Sequence, residues 1–441
     1  MVIGSLYIFL LFSLLVIVIL GSKDKVERYI QLILITFIFI DFSIPPGALG
    51  IKLFDALTIF ILPFFFISKY SRSIKISGKI KFILLLFVII LVISSINSIN
   101  PKLSLLRLLQ QLNYLFFFII FTSYVSLKNN LIKIKPTIVI SFLSCVIFLT
   151  FQIVFGLDFT LYSILNSNVT NQGIRYPGPF QDPQKFAQFL GMTAFLFFSI
   201  SFKRKFIQKK YLYAGILVAI SIISTGSRGA LFGFVIGISY FIIRQTIKTK
   251  KIINVILISI IALVTVFLSE NSLVFKRMDD TESDLQFRYS IWIKAYDIFL
   301  EKPITGIGTG TYQGFVEEND PDQFWKVNDE KIYYNHPESG FLLWLVEYGF
   351  FGFVIILGAI IYLVNPFYRK KMKWKNENSI FLLEAGVISW IIGFITVDSL
   401  GDKRIGVTLL ILCSFLYLSK FNLTSKNLKF GHRLCRNKNL K

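Results

Sequence analysis

The sequence predicts an all-α, polytopic transmembrane helix bundle of about 12–13 spans with a long folded loop on its outer face. Three observations carry this. The chain is 54% hydrophobic, with a mean hydropathy of +0.67. Apolar runs recur along its whole length, each near the roughly 17–25 residues that a bilayer-crossing helix needs. Basic residues gather in every second connector between those runs, the distribution expected of cytoplasmic loops. In lipid, backbone polar groups must be satisfied within the spanning segment, so the runs are expected to be helices.

The first run, VIGSLYIFLLFSLLVIVIL, has no basic n-region and no small-residue cleavage site, and reads as a retained span. Counting each run places spans near 2–21, 29–42, 51–68, 82–97, 111–127, 136–156, 186–202, 212–225, 229–244, 253–269, 340–365, 380–397 and 405–419. The basic connectors are KYSRSIKISGKIK (69–81), KNNLIKIK (128–135), KRKFIQKK (203–210), RQTIKTKK (244–251) and YRKKMKWK (368–375). The tail 420–441 adds seven Lys and Arg and no acid. Alternation then puts the tail in the cytoplasm and the N-terminus outside. The net charge of +22 is thereby read as a topology signal facing anionic lipid, not as a nucleic-acid surface. Cys145, Cys413 and Cys435 show no paired spacing, which argues against a disulfide framework or a thiolate metal site.

Four segments follow from this pattern: a bundle over 1–269, a cap over 270–339, C-terminal helices over 340–419 and the basic tail 420–441. Two external stretches are long, 157–185 and the cap itself. The cap is rich in both signs of charge, holds Trp292 and Trp325, and shows helical periodicity in QFRYSIWIKAYDIFLEK. Loops of this length without function are uncommon, so the chemistry is expected on the outer face.

Several residues there invite a role. Arg228, in STGSRGALFGFV, sits at a Gly-flanked break between two short spans. It reads either as an arginine reaching to lipid phosphate or as a fixed cation for a phosphate-bearing lipid substrate. Arg288, in QFRYSIW, reads equally as a salt bridge to Asp284 or another loop acid, or as a substrate contact. Arg175, in GIRYPGPFQDPQKFA, is presented by a loop stiffened by Pro177, Pro179 and Pro183. The acids Asp279, Asp280, Glu282 and Asp284 suit a solvated turn better than a hard-cation site. GIGTG (306–310) lacks the strand–turn–helix context and lysine of a phosphate loop. Asp41, Asp55 and Glu384 are scattered singly near span ends. That pattern, without an inverted repeat, disfavours a transporter or flippase, which places ionisable groups deep in several spans. A purely structural scaffold leaves the cap and the SRG break without a purpose.

His336 is one of two histidines in the chain and lies in YYNHPESGFLLWLVEYG, where a polar loop enters an apolar run. A lone interfacial histidine is commonly a structural hydrogen-bonder. Here Asn335 and Pro337 suggest a helix start, Glu338 and Glu347 are near in sequence, and imidazole suits proton transfer from a hydroxyl near neutral pH. His432, in the basic tail, has no such setting.

Taken in order, GIRYPGPFQDPQKFAQFLG, STGSRGALFGFV, FRYSIW…PITGIGTGTYQ and NHPESGFLLWLVEYGFFG resemble the O-antigen ligase and polymerase superfamily of bacterial envelope glycosyltransferases, from about residue 150 to residue 360. The chain departs from the usual family pattern at Gln184, after Asp182-Pro183, and at Pro337, after His336; in both places Asn is common in the family. The resemblance implies a GT-C-like fold in the bacterial inner membrane with a periplasmic active site. It also implies an inverting, metal-independent transfer that uses no cofactor. The glycan would move from an undecaprenyl-diphosphate carrier to an acceptor hydroxyl of a lipid A-core sugar or, in a polymerase, of another lipid-linked glycan. On this reading His336 is the base, and Arg228, Arg288 and Arg175 hold the diphosphate, which needs charge stabilisation more than a proton.

Overall fold

A computed structural model describes residues 2–44, 51–72, 78–162, 168–170, 173–202, 207–249, 281–320, 322, 324–327, 330–334, 336–364 and 377–421. The expected span 253–269 and the tail 422–441 lie outside them. The described residues form fourteen α-helices and two small hairpins, so the all-α class holds.

The chain opens with α1 (Val2–Leu20), α2 (Lys25–Ile35), α3 (Leu53–Ile67), α4 (Gly78–Ile96) and α5 (Pro101–Val125). α6 (Lys128–Phe155), α7 (Pro183–Ser201), α8 (Lys209–Ser221) and α9 (Arg228–Thr249) complete the first part of the bundle. The cap contains α10 (Thr281–Glu301) and α11 (Tyr312–Asn319), and α12 (Gly340–Val364), α13 (Glu377–Phe394) and α14 (Lys403–Phe421) close the fold. Hairpin β1 (Val169–Thr170)–β2 (Gly173–Ile174) lies in the first external stretch, and β3 (Phe324–Val327)–β4 (Glu330–Tyr333) in the cap.

Five helices, within α5, α6, α9, α12 and α13, are long and apolar enough to cross a membrane, and shorter apolar helices lie in α1, α3 and α4. Large apolar side chains such as Leu14, Ile17, Phe66, Ile67, Ile140 and Phe232 are exposed, as lipid contact requires. α5 and α6 reach further than the runs implied. Asn100 accepts from Leu103 N (3.1 Å) and Pro101 pre-sets the first turn of α5, so much of the 98–110 connector is helical.

α7 is the central post, buried almost along its length, with Gln188, Thr193 and Ser199 inside the protein. α9 crosses α13 closely because Gly229, Gly233 and Gly237 recur every four residues on one face. A Cβ at Gly233 would sit 2.5 Å from Ser389 O, and one at Gly237 2.8 Å from Ala385 O. Gly233→Leu is therefore expected to lower stability by about 1–3 kcal/mol, the usual range for overpacking. Gly358→Ala, with open space around its Cβ, should not. Unfolding midpoints in detergent read both, and equal midpoints would rule out this crossing.

The connectors sort to two ends. At one end Lys69 pairs with Asp24 (3.3 Å) and Lys133 with Glu27 (3.4 Å). At the other, segments 38–44, 51–55, 94–107, 173–185, 224–229, 288–311, 336–348 and 396–404 interlock through the contacts described below. Of the basic connectors, 368–375 lies outside the described residues and 69–81, 203–210 and 244–251 lie partly outside them.

Candidate active site

The external stretch is fixed first. Asp182 caps α7 by accepting from Gln184 N (2.7 Å). Gly178, at φ 58°, lets the chain pass over the Phe186 ring, and Gln152 Oε1 accepts from Gly178 N (2.8 Å). Tyr176 N donates to Ser224 O (3.2 Å), which lays the stretch against the SRG turn. Arg175 is buried beneath that turn at 2% exposure. Its Nε donates to Thr225 O (3.2 Å) and its stem packs on Gly226. Gly226 takes the left-handed conformation (φ 62°) that opens the turn, and Arg228 starts α9, half-buried.

Thr396, just beyond the end of α13, joins the next two pieces. Gly229 lies against its side chain, and its carbonyl accepts from Arg288 Nη1 (2.8 Å). Arg288, from cap helix α10, also pairs with Glu338 (3.3 Å). The loop-acid pairing foreseen for Arg288 is thus made, with Glu338 as the partner, and it links the arginine to the histidine turn. Glu338 stands at φ 49°, unusual for a residue with a side chain, and its N–H donates to His336 Nδ1 (3.2 Å). Helix α12 starts four residues after His336. Its first turn is capped by Ser339, whose Oγ accepts from Leu342 N (3.4 Å), so the helix starts after Pro337 and not at it; Asn335 lies outside the described residues.

Burial pushes the His336 pKa down to about 4, and the cations of Lys185 and Arg288 push the same way, against the carboxylates of Asp398 and Asp182. The ring is neutral at pH 7. Because Nδ1 accepts from a backbone N–H, the proton of the neutral ring sits on Nε2. The lone pair that a base needs is therefore the one engaged by Glu338.

GIGTG has a structural task. α12 breaks at Gly349 (φ 67°), freeing carbonyls that the glycine segment uses: Ile307 N donates to Val346 O (3.0 Å) and Gly308 N to Glu347 O (3.2 Å). Only glycine fits there, since a Cβ at Gly306 would meet Glu347 O at 2.3 Å and one at Gly308 would meet Ser98 Oγ at 2.2 Å. This docking holds the cap on α12 and α4. Asp279 and Asp280 lie outside the described residues.

Arg288 is joined to the His336 turn through Glu338, Arg288 and Gly229 both meet Thr396, and Arg175 lies beneath the turn that precedes Arg228. With this geometry in view, the comparison with known families is decisive for this region. Residues 212–357 match the family model for the O-antigen ligase domain. The match runs from α8 into α12 and takes in the SRG turn, Arg228, Arg288, GIGTG and His336. The likeness to the O-antigen ligase family extends over this region, about a third of the chain. No curated protein matches the chain. Arg175, Lys185 and Asp398 lie outside the O-antigen ligase match and reach the site through α7 and the α13–α14 connector.

Below the candidate site lies a buried ionic layer that the sequence did not reveal. Asp41 and Asp55, expected to be isolated, instead meet the start of α14. Lys403 Nζ pairs with Asp55 (3.1 Å) and Lys403 N donates to Asp41 (2.9 Å). Arg404, fully buried, holds Asp402 with Nε (2.9 Å) and Nη2 (2.5 Å), donates to Pro179 O and Ile38 O, and lies over the Phe180 ring at 4.0 Å. The signal was DKR at 402–404, three charges opening an apolar run. Glu384 stays apart, accepting from Tyr240 OH (2.8 Å).

Proposed function

We propose that the protein is an inverting, metal-independent glycosyltransferase of the ligase type. It moves a glycan from undecaprenyl diphosphate to an acceptor hydroxyl at the periplasmic face of the bacterial inner membrane. The observation that supports this is the linkage of Arg288 to the His336 turn through Glu338, with Arg288 and Gly229, the neighbour of Arg228, both set on Thr396.

The chemistry follows from the groups present. The acceptor oxygen attacks the anomeric carbon, the bond from that carbon to the phosphate oxygen breaks, and undecaprenyl diphosphate leaves with the electron pair. Guanidinium groups stabilise that charge without a proton, and their forked geometry suits phosphate oxygens. His336 takes the hydroxyl proton at Nδ1, exchanging the Glu338 N–H for the acceptor. Asp398 and Asp182 favour the imidazolium that results.

An imidazole held near pKa 4 is a weak base. The diphosphate brings negative charge beside it and raises that pKa. The sign is then fixed: His336 works when neutral, so activity falls as pH drops through its pKa. That drop comes at lower pH in the free enzyme than in the donor complex. The acidic limb of kcat should lie at higher pH than that of kcat/KM. Coincident limbs, or a limb absent from both, would refute this assignment. The proposal as a whole is tested by purified protein with an undecaprenyl-diphosphate-linked glycan in EDTA. Transfer should persist; loss with chelator, restored by a divalent ion, would overturn metal independence.

A further inference from the structure

We infer that Lys185 is a further phosphate-binding residue of this site, placed to neutralise the donor's diphosphate beside Arg228 and Arg288. The inference rests on the functional proposal above and extends it to a residue outside the matched domain.

The placement is geometric. α7 and α13 run antiparallel, and Gln188 packs against Gly393, where a Cβ would lie 2.8 Å from its Cγ. Lys185 is three residues before Gln188 and shares its helix face. Thr396 is three residues beyond Gly393. A rise of about 1.5 Å per residue therefore brings Lys185 level with Thr396, the residue on which Arg288 is anchored and against which Gly229 packs. The stretch ahead of Lys185 is held by the Gly178–Gln152 bond and by Arg404 on Pro179 O, so its position is set from below.

The other cations nearby are engaged. Arg175 is buried on Thr225 O, and Arg288 holds both Thr396 O and Glu338. For half-buried Lys185, no ion pair or hydrogen bond of the ammonium joins it to any described residue. Asp182 and Asp398 are near enough to act on it electrostatically, yet neither closes a salt bridge. A cation with three donors and no partner among the described residues is available to an anion. His336 feels its charge, so the anion it would bind lies beside the proposed base.

The probe is undecaprenyl diphosphate without glycan, with undecaprenyl monophosphate for comparison, bound to the full-length protein in nanodiscs. Lys185→Gln should weaken diphosphate binding about 10-fold or more, as loss of a charge-assisted contact does. Lys185→Arg should stay within about threefold of wild type, and the monophosphate should respond less to either change. Unfolding midpoints of both variants should match wild type. If Lys185→Gln binds the diphosphate like wild type, or weakens both lipids equally, the inference is overturned while the functional proposal stands. Wild-type protein that binds neither lipid would overturn the functional proposal itself.

Discussion

Replacing His336 with alanine should lower glycan transfer by about 10²–10⁴-fold, the usual worth of a positioned general base, and leave donor affinity near wild type. The reason is the division of labour in the site. On the proposed function the diphosphate is held by Arg228, Arg288 and, on the inference above, Lys185, none of which is anchored by the imidazole. Arg288 is anchored by Thr396 O and Glu338, and Arg228 by the start of α9 over the Gly226 turn. Loss of the ring removes the acceptor for the Glu338 N–H, a 3.2 Å contact at the weak end of the range, so the turn should survive. Equilibrium donor binding and single-turnover transfer on the same variant separate the two effects. Alanine at 336 with a near wild-type rate would leave the histidine as no more than a turn-former.

Arg404→Ala should destabilise the protein by about 3–5 kcal/mol, the range found when one member of a buried ion pair is removed. Asp402 would be left as a buried carboxylate without its bidentate partner, and Pro179 O and Ile38 O would each lose a donor. Because Arg404 joins α14 to the stretch that leads into α7, its loss should also loosen Lys185. Converting both partners, Arg404→Met with Asp402→Leu, should recover much of the stability, since the cost lies in the orphaned charge. Chemical unfolding of the purified variants decides this. A single variant as stable as wild type would show that the layer is solvated in the folded protein.

The helices were legible in the sequence because lipid permits few alternatives. The four candidate residues were legible because arginine and histidine next to glycine or proline breaks are costly in apolar surroundings and so stand out. Lys185 and Asp398 were not. One reads as the first turn of a span and the other as a connector acid, and only the antiparallel packing of α7 on α13 sets them at the same level as Thr396. Asp41 and Asp55 were misjudged for a related reason. Lys403, which both acids meet, lies some 350 residues away, beyond any periodicity argument, while Asp41 also pairs with the nearby Lys52 (3.5 Å). The engagement of His336 Nδ1 is likewise a backbone fact, set by the left-handed Glu338 and invisible in residue types.

The central claim is that the cations bind the diphosphate and the histidine moves the proton. Single-turnover transfer from an undecaprenyl-diphosphate-linked glycan, with donor affinity and release of undecaprenyl diphosphate followed together, tests it on wild type, Arg288→Lys and His336→Ala. Wild type should release one carrier per glycan transferred. Arg288→Lys, charged but without the forked geometry, should lose both affinity and rate, and His336→Ala should lose rate alone. Two variants with the same defect, or a histidine variant that binds donor poorly and transfers normally once saturated, would contradict the account.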